Sequence, residues 1–186
     1  MSHAKPVVFL SLPRHDGPYT STPWQLAVEM AKKRTVVFMD HPFTWWEGIR
    51  NFRRPDVRKR WLAYFGATSA RVDNVHVVWL PFVWPINFLP KGFIYNFFSA
   101  WNHRLVAGRL NRFFLEQGIV SYFFVNSFDF YFPRLTRFLR PRPALRVYHC
   151  IDPMVKKFTL KHGVALQLRA AAGSDLVIST APSLQR

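Results

Sequence analysis

The chain has 186 residues, with 26 Lys and Arg against 10 Asp and Glu, a formal net charge of +16 and a pI near 10.9. With 49% of its residues apolar it is not a disordered chain, and a single cysteine, Cys150, excludes an intramolecular disulfide. Such a charge draws the chain to anionic surfaces, and 17% aromatic content beside it favours a membrane interface among them.

The opening MSHAKP lacks the apolar region and small-residue cleavage site of a secretory signal. Val7 to Ser11 reads as a short buried strand that ends in a turn-rich loop. A helix follows: Ser21 or Thr22 caps it, Pro23 sits in its first turn, and Trp24, Leu26, Ala27, Met30 and Ala31 recur at helical spacing. Lys32, Lys33 and Arg34 close it at the end where cations suit the helix dipole. Thr35 to Met39 is a second buried strand, so the chain opens on a β-α-β unit with a right-handed crossover.

Residues 41–74 have no clean period and read as a basic and aromatic loop insertion before a third strand, Val75 to Leu80. A second insertion, 81–97, lies in the most apolar region, where Pro81, Pro85, Pro90 and Lys91 rule out an unbroken spanning helix. The spacing then predicts a helix over 98–117, with Gly118 as its stop, and a strand from Ile119 to Val125. Phe132 to Leu139 is a short helix, Leu145 to Ile151 a strand that buries Cys150, and Leu160 to Ala172 a helix ended by Gly173. Asp175 to Ser179 is a last strand, and a further helix begins in APSLQR. Strand and helix alternate throughout. The expectation is one Rossmann-like, doubly wound α/β domain over 1–186, with a mostly parallel sheet and helices on both faces.

In such a sheet ligands bind beyond the carboxyl ends of the strands. The first of those loops holds Arg14, His15, Asp16, Gly17, Tyr19 and Thr20 ahead of a helix N-terminus, an anion-friendly place. It is neither a GxGxxG fingerprint nor a P-loop. His15 and Asp16 read either as a base with its orienting carboxylate or as exposed loop residues. In VYHCIDP, His149 lies on the strand and Asp152 just past it, either free to reach a ligand or capping the turn before Pro153. No HxH, HExxH or CxxC spacing and no GxSxG elbow is present, so neither a metal nor another cofactor is expected.

The first insertion sets Arg50, Arg53, Arg54, Arg58, Lys59 and Arg60 between Trp45, Trp46 and Trp61. Tryptophan at headgroup level beside cations is the composition of a protein lying on an anionic membrane; the other reading is aromatic core with a solvated arginine face. Nucleic acid is not the expected partner, since no RNP motif, KH loop or recognition helix is found.

TSTPWQLAVEMAKKRTVVFMD resembles the opening helix and strand of bacterial GT-B glycosyltransferases of the family-4, or group 1, class. VYHCIDP, a following helix and GSDLVISTAPSLQR resemble the segment that leads those enzymes toward their interdomain linker. The resemblance implies an acceptor-binding N-terminal half, with a C-terminal domain holding most of a nucleotide-sugar donor. The acceptor would be a lipid-linked or cell-surface polysaccharide at the cytoplasmic face of the membrane. It further implies that the loop from Arg14 to Thr20, with Gly17 and Tyr19, lines the cleft beside donor diphosphate or acceptor, although one glycine stands where many relatives have a pair. His149 and Asp152 would lie near the reacting sugar, with Ser179 and Thr180 facing the same cleft. The alternative is a non-catalytic basic α/β module that binds an anionic partner.

Overall fold

The computed structural model describes residues 4–66, 68–152 and 161–180. In chain order the elements are β1 (Val7–Ser11), α1 (Thr22–Ala31), β2 (Val36–Asp40), α2 (Trp45–Arg50), α3 (Pro55–Leu62), β3 (Ser69–Val72), β4 (Val75–Val78), α4 (Phe93–Glu116), β5 (Phe123–Ser127), a 3₁₀ turn (Leu135–Arg137), β6 (Leu145–Cys150), α5 (Gly163–Ala172) and β7 (Leu176–Ser179). The strands form one sheet in the order β3-β4-β2-β1-β5-β6-β7. All neighbours are parallel except β3 with β4. This is a Rossmann-like α/β sheet, and its strand order reverses between β1 and β5.

Both central strands, β1 and β2, are buried along their whole length, as strands covered on both faces must be. Alternation sends Val7, Phe9, Val36 and Phe38 to one face, where Trp24 and Ala27 of α1 cover them. Val8, Leu10, Val37 and Met39 go to the other face, under Val106, Leu110, Phe113 and Phe114 of α4. Leu166 and Ala170 of α5 pack beside Tyr148 and Cys150 on that second face. On the edge strand β7 the apolar side chains Leu176, Val177 and Ile178 are all about half exposed.

Residues 41–74 are not a loop insertion. They contain α2, α3 and β3. Asp73 and Asn74 both have positive φ, 48° and 64°, so they close a two-residue hairpin between β3 and β4. Thr44 and Glu47 form a reciprocal capping box on α2, and Pro55 starts α3. In the second insertion, residues 93–97 already belong to α4. That helix starts before residue 98 because its first turn is regular, though Phe93 and Phe97 point away from the core at 84% and 52% exposure. The expected strand from Ile119 starts at Phe123, and the expected helix from Phe132 is only the 3₁₀ turn. The helix expected in APSLQR lies outside the described residues.

Under α2 and α3 lies a cluster of Trp45, Trp61, Tyr64 and Phe82, with ring centroids 4.7–6.2 Å apart. Trp61 Nε1 donates to Gly48 O at 3.0 Å, and the Phe82 amide donates to Tyr64 Oη at 2.8 Å. Glycine is required at position 48 because a Cβ there would lie 2.7 Å from the Phe82 ring, which the surrounding rings keep from yielding. Gly48→Ala therefore destabilises the protein by about 1–3 kcal/mol in urea denaturation; parental stability would mean that the cluster is loosely packed.

Candidate active site at the carboxyl edge of the sheet

β1, β2 and β5 end side by side, with Ser11 in register with Asp40 on one side and Ser127 on the other. The three loops leaving this edge converge. Asp40, the last residue of β2, continues the parity of Val36 and Phe38 and points to the α1 face, where it is 4% exposed. Its carboxylate accepts from the His15 amide (2.7 Å), faces His15 Nδ1 (2.7 Å) and accepts from Arg60 (2.7 Å). The His15 ring also packs against Trp24, centroid to centroid 5.3 Å. Its Nε2 makes no hydrogen bond among the described residues. An imidazole held at Nδ1 by a carboxylate and open at Nε2 is the arrangement of an oriented general base.

Arg60, 3% exposed, is the cation of this site. Beyond Asp40 it donates to both oxygens of Asp16, at 2.9 and 3.3 Å, and to the Asp56 carbonyl at 2.6 Å. Burial pushes the Asp16 carboxyl up, but the hydrogen bonds and charge of Arg60, with His15 and Arg14 behind it, outweigh this and hold it below the usual carboxylate range. Arg14 lies flat on Phe43, 3.6 Å from the ring centre, and donates from Nε to His41 O at 3.2 Å. Burial first, and the charge of Arg60 second, lower its pKa, though a guanidinium stays protonated. Its terminal nitrogens make no hydrogen bond among the described residues.

A second pair stands on the opposite face of the sheet. His41 Nδ1 lies 2.8 Å from Asp129 Oδ2, and Asp129 is fully buried. The chain reaches Asp129 through Phe128, a non-glycine residue at φ 62°. Asn126 brackets that turn, donating to Asp129 O at 2.9 Å and accepting from its amide at 2.8 Å.

The structure thus brings Arg14, His15 and Asp16 together, with a changed pairing: the carboxylate on His15 is Asp40, while Asp16 serves Arg60. Gly17 closes a turn onto Arg14 O (3.3 Å), and a Cβ there would stand 3.2 Å from that oxygen. Tyr19 and Thr20 are exposed. His149 is buried against Ser127 Oγ at 2.9 Å, and burial lowers its pKa. Asp152 lies exposed beyond β6. Thr180 bonds back to Cys150 O and Ile151 O, and Ser179 Oγ is buried without a partner among the described residues. Among the described residues no hydrogen bond joins this second group to His15.

The membrane set is corrected in three places. Arg60 faces the interior because it shares the inner side of α3 with Val57, and Trp45 and Trp61 belong to the aromatic cluster. Trp46, Arg50, Arg53, Arg54, Arg58 and Lys59 stay exposed. Asp40, His41 and Asp129 are the residues that sequence reasoning missed as site members, and Arg60 is the one it assigned to the membrane surface instead. The signals were an aspartate closing VVFMD, the Val57 to Arg60 spacing, and polar NS and D beside the strand FFV.

His15, Asp16 and Asp40 could each offer a ligand atom within 4.8 Å of the others. The Arg60 guanidinium already lies between both carboxylates, so a divalent ion would have to displace a buried, hydrogen-bonded cation. The chain matches no protein-family model, and no curated protein matches it.

Removing Arg60 leaves Asp40 buried with one partner fewer. Arg60→Met therefore costs about 3–5 kcal/mol at neutral pH, read from thermal melts by circular dichroism. Asp16, depressed in the fold, contributes stability above its unfolded pKa near about 4, lost as pH falls through the folded value. The parent accordingly loses stability below about pH 4, and Arg60→Met loses less over that range. A variant that melts with the parent at pH 7 would contradict this account.

Proposed function

We propose that this chain is the acceptor-binding, Rossmann-like half of a glycosyltransferase. It moves a sugar from a nucleotide-sugar donor to a lipid-linked or cell-surface polysaccharide acceptor at the cytoplasmic membrane face. The observation that carries the reading is His15, oriented through Nδ1 by Asp40 at the carboxyl edge of the sheet. The resemblance in TSTPWQLA and VYHCIDP supports it, and so does the exposed basic and aromatic surface of α2 and α3.

In this reading His15 Nε2 takes the proton of an acceptor hydroxyl as its oxygen bonds to the anomeric carbon. The bond from that carbon to the donor phosphate breaks, and the electron pair leaves with the nucleoside diphosphate. Asp40 fixes the imidazole tautomer and stabilises the imidazolium, and Arg60 holds Asp40 in place. The terminal nitrogens of Arg14 and the N-terminus of α1 meet the leaving diphosphate, stabilising charge as it develops. Binding of most of the donor falls to a C-terminal domain.

The acceptor half of the proposal is tested by NMR. Lipid-linked glycans in bicelles shift the His15 Cε1 resonance saturably; a panel of such glycans that leaves it unmoved would sink the reading. In transfer assays with radiolabelled nucleotide sugars on acceptor-bearing vesicles, run with the chain joined to its donor-binding domain, His15→Gln lowers the rate by about 10²–10⁴-fold. The same variant keeps acceptor binding. Saturable binding to anionic vesicles alone, with no response to any glycan, would favour the non-catalytic module.

A further inference from the structure

The outer side of α2 and α3 is concave. A groove of about 650 Å³ runs between Ile49, Phe52, Arg53, Arg58 and Trp61. Its floor is apolar, with Ile49 59% and Phe52 56% exposed, and two guanidinium groups stand on its rim. Arg54 is engaged with Asp56 at 2.7 Å, whereas Arg53 and Arg58 have no ion pair among the described residues. The groove is preformed, because the Trp61 bond to Gly48 ties α3 to α2 and the aromatic cluster supports both helices from below.

We infer that this groove seats one anionic phospholipid, its phosphodiester between Arg53 and Arg58 and an acyl chain along Ile49, Phe52 and Trp61. The inference rests on the membrane contact proposed above and goes further, naming a one-to-one lipid site within it. The chemistry selects this occupant. Two guanidinium groups without an ion pair among the described residues, that of Arg53 resting 5.6 Å from the Phe52 ring centre, match a phosphate through forked hydrogen bonds. A free phosphate would leave the apolar floor in water, and a neutral lipid or detergent would leave both cations unpaired. Trp46, 63% exposed on the adjoining turn of α2, places an indole at the depth where a headgroup region begins.

Short-chain phosphatidylglycerol, kept below its micelle concentration, binds with one-to-one stoichiometry and perturbs tryptophan fluorescence. Inorganic phosphate and short-chain phosphatidylcholine do not reproduce this. The double variant R53Q/R58Q weakens binding by about 100-fold, as expected for the loss of two charge-assisted contacts, and its melting temperature stays parental. Unchanged affinity in R53Q/R58Q, equal binding of inorganic phosphate, or binding that never saturates would overturn the inference. Flotation with phosphatidylglycerol vesicles separates the two levels. It also draws on Trp46, Arg50 and Lys59, so flotation without the one-to-one site defeats the lipid seat alone. No flotation of the parent defeats the membrane reading itself.

Discussion

One buried guanidinium organises the site. Arg60 joins the loop after β1 through Asp16, the end of β2 through Asp40, and its own helix through the Asp56 carbonyl. Two carboxylates withdrawn from water are costly unless paired and hydrogen-bonded. The docking of α3 against the sheet edge therefore brings Arg60 to both carboxylates at once. Asp40 Oδ2 meets both Arg60 and His15 Nδ1, and Oδ1 accepts from the His15 amide, so the orientation of the imidazole depends on a residue of helix α3.

The second constraint is the alternation of a parallel strand. Asp40 and His41 are adjacent, yet the pleat sends them to opposite faces of the sheet. Asp40 joins His15 and Arg60 on the α1 side, and His41 joins Asp129 on the α4 side. Two histidine–carboxylate pairs thus flank the point where strand order reverses, the position at which open α/β sheets bind ligands. The positive φ of Phe128 costs roughly 1–2 kcal/mol. Its consequence is that Asp129 faces His41.

Helix α3 links this edge to the outer surface. Its inner side carries Val57 and Arg60, the half-buried Trp61 stands at the border, and Arg54, Arg58 and Lys59 look outward. Within one short helix, one arginine completes a buried network and another stands on the rim of an apolar groove. Charge alone could not separate them. Their positions relative to the hydrophobic stripe do.

Most of the fold was legible because its signals are local. Apolar runs such as VVFLS and VVFMD, the helix bounds at Ser21, whose side chain makes no capping bond, and at Gly173, and the alternation of strand with helix specify a parallel doubly wound sheet. The elements between residues 41 and 74 were less legible because each is short: α2 and α3 have 6 and 8 residues, and β3 has 4. Packing of aromatic rings stabilises α2 and α3, and pairing with β4 stabilises β3, rather than a long period. By itself, then, the sequence determined the parallel strands of the sheet, the loop bearing Arg14, His15 and Asp16, and a basic aromatic surface, all properties of contiguous residues. Only the tertiary structure decided which carboxylate holds His15, that Arg60 turns inward, and that His41 meets Asp129 across 88 positions. Those pairings join residues far apart in the chain, and the burial that makes them necessary exists only once the sheet and its helices have closed around them.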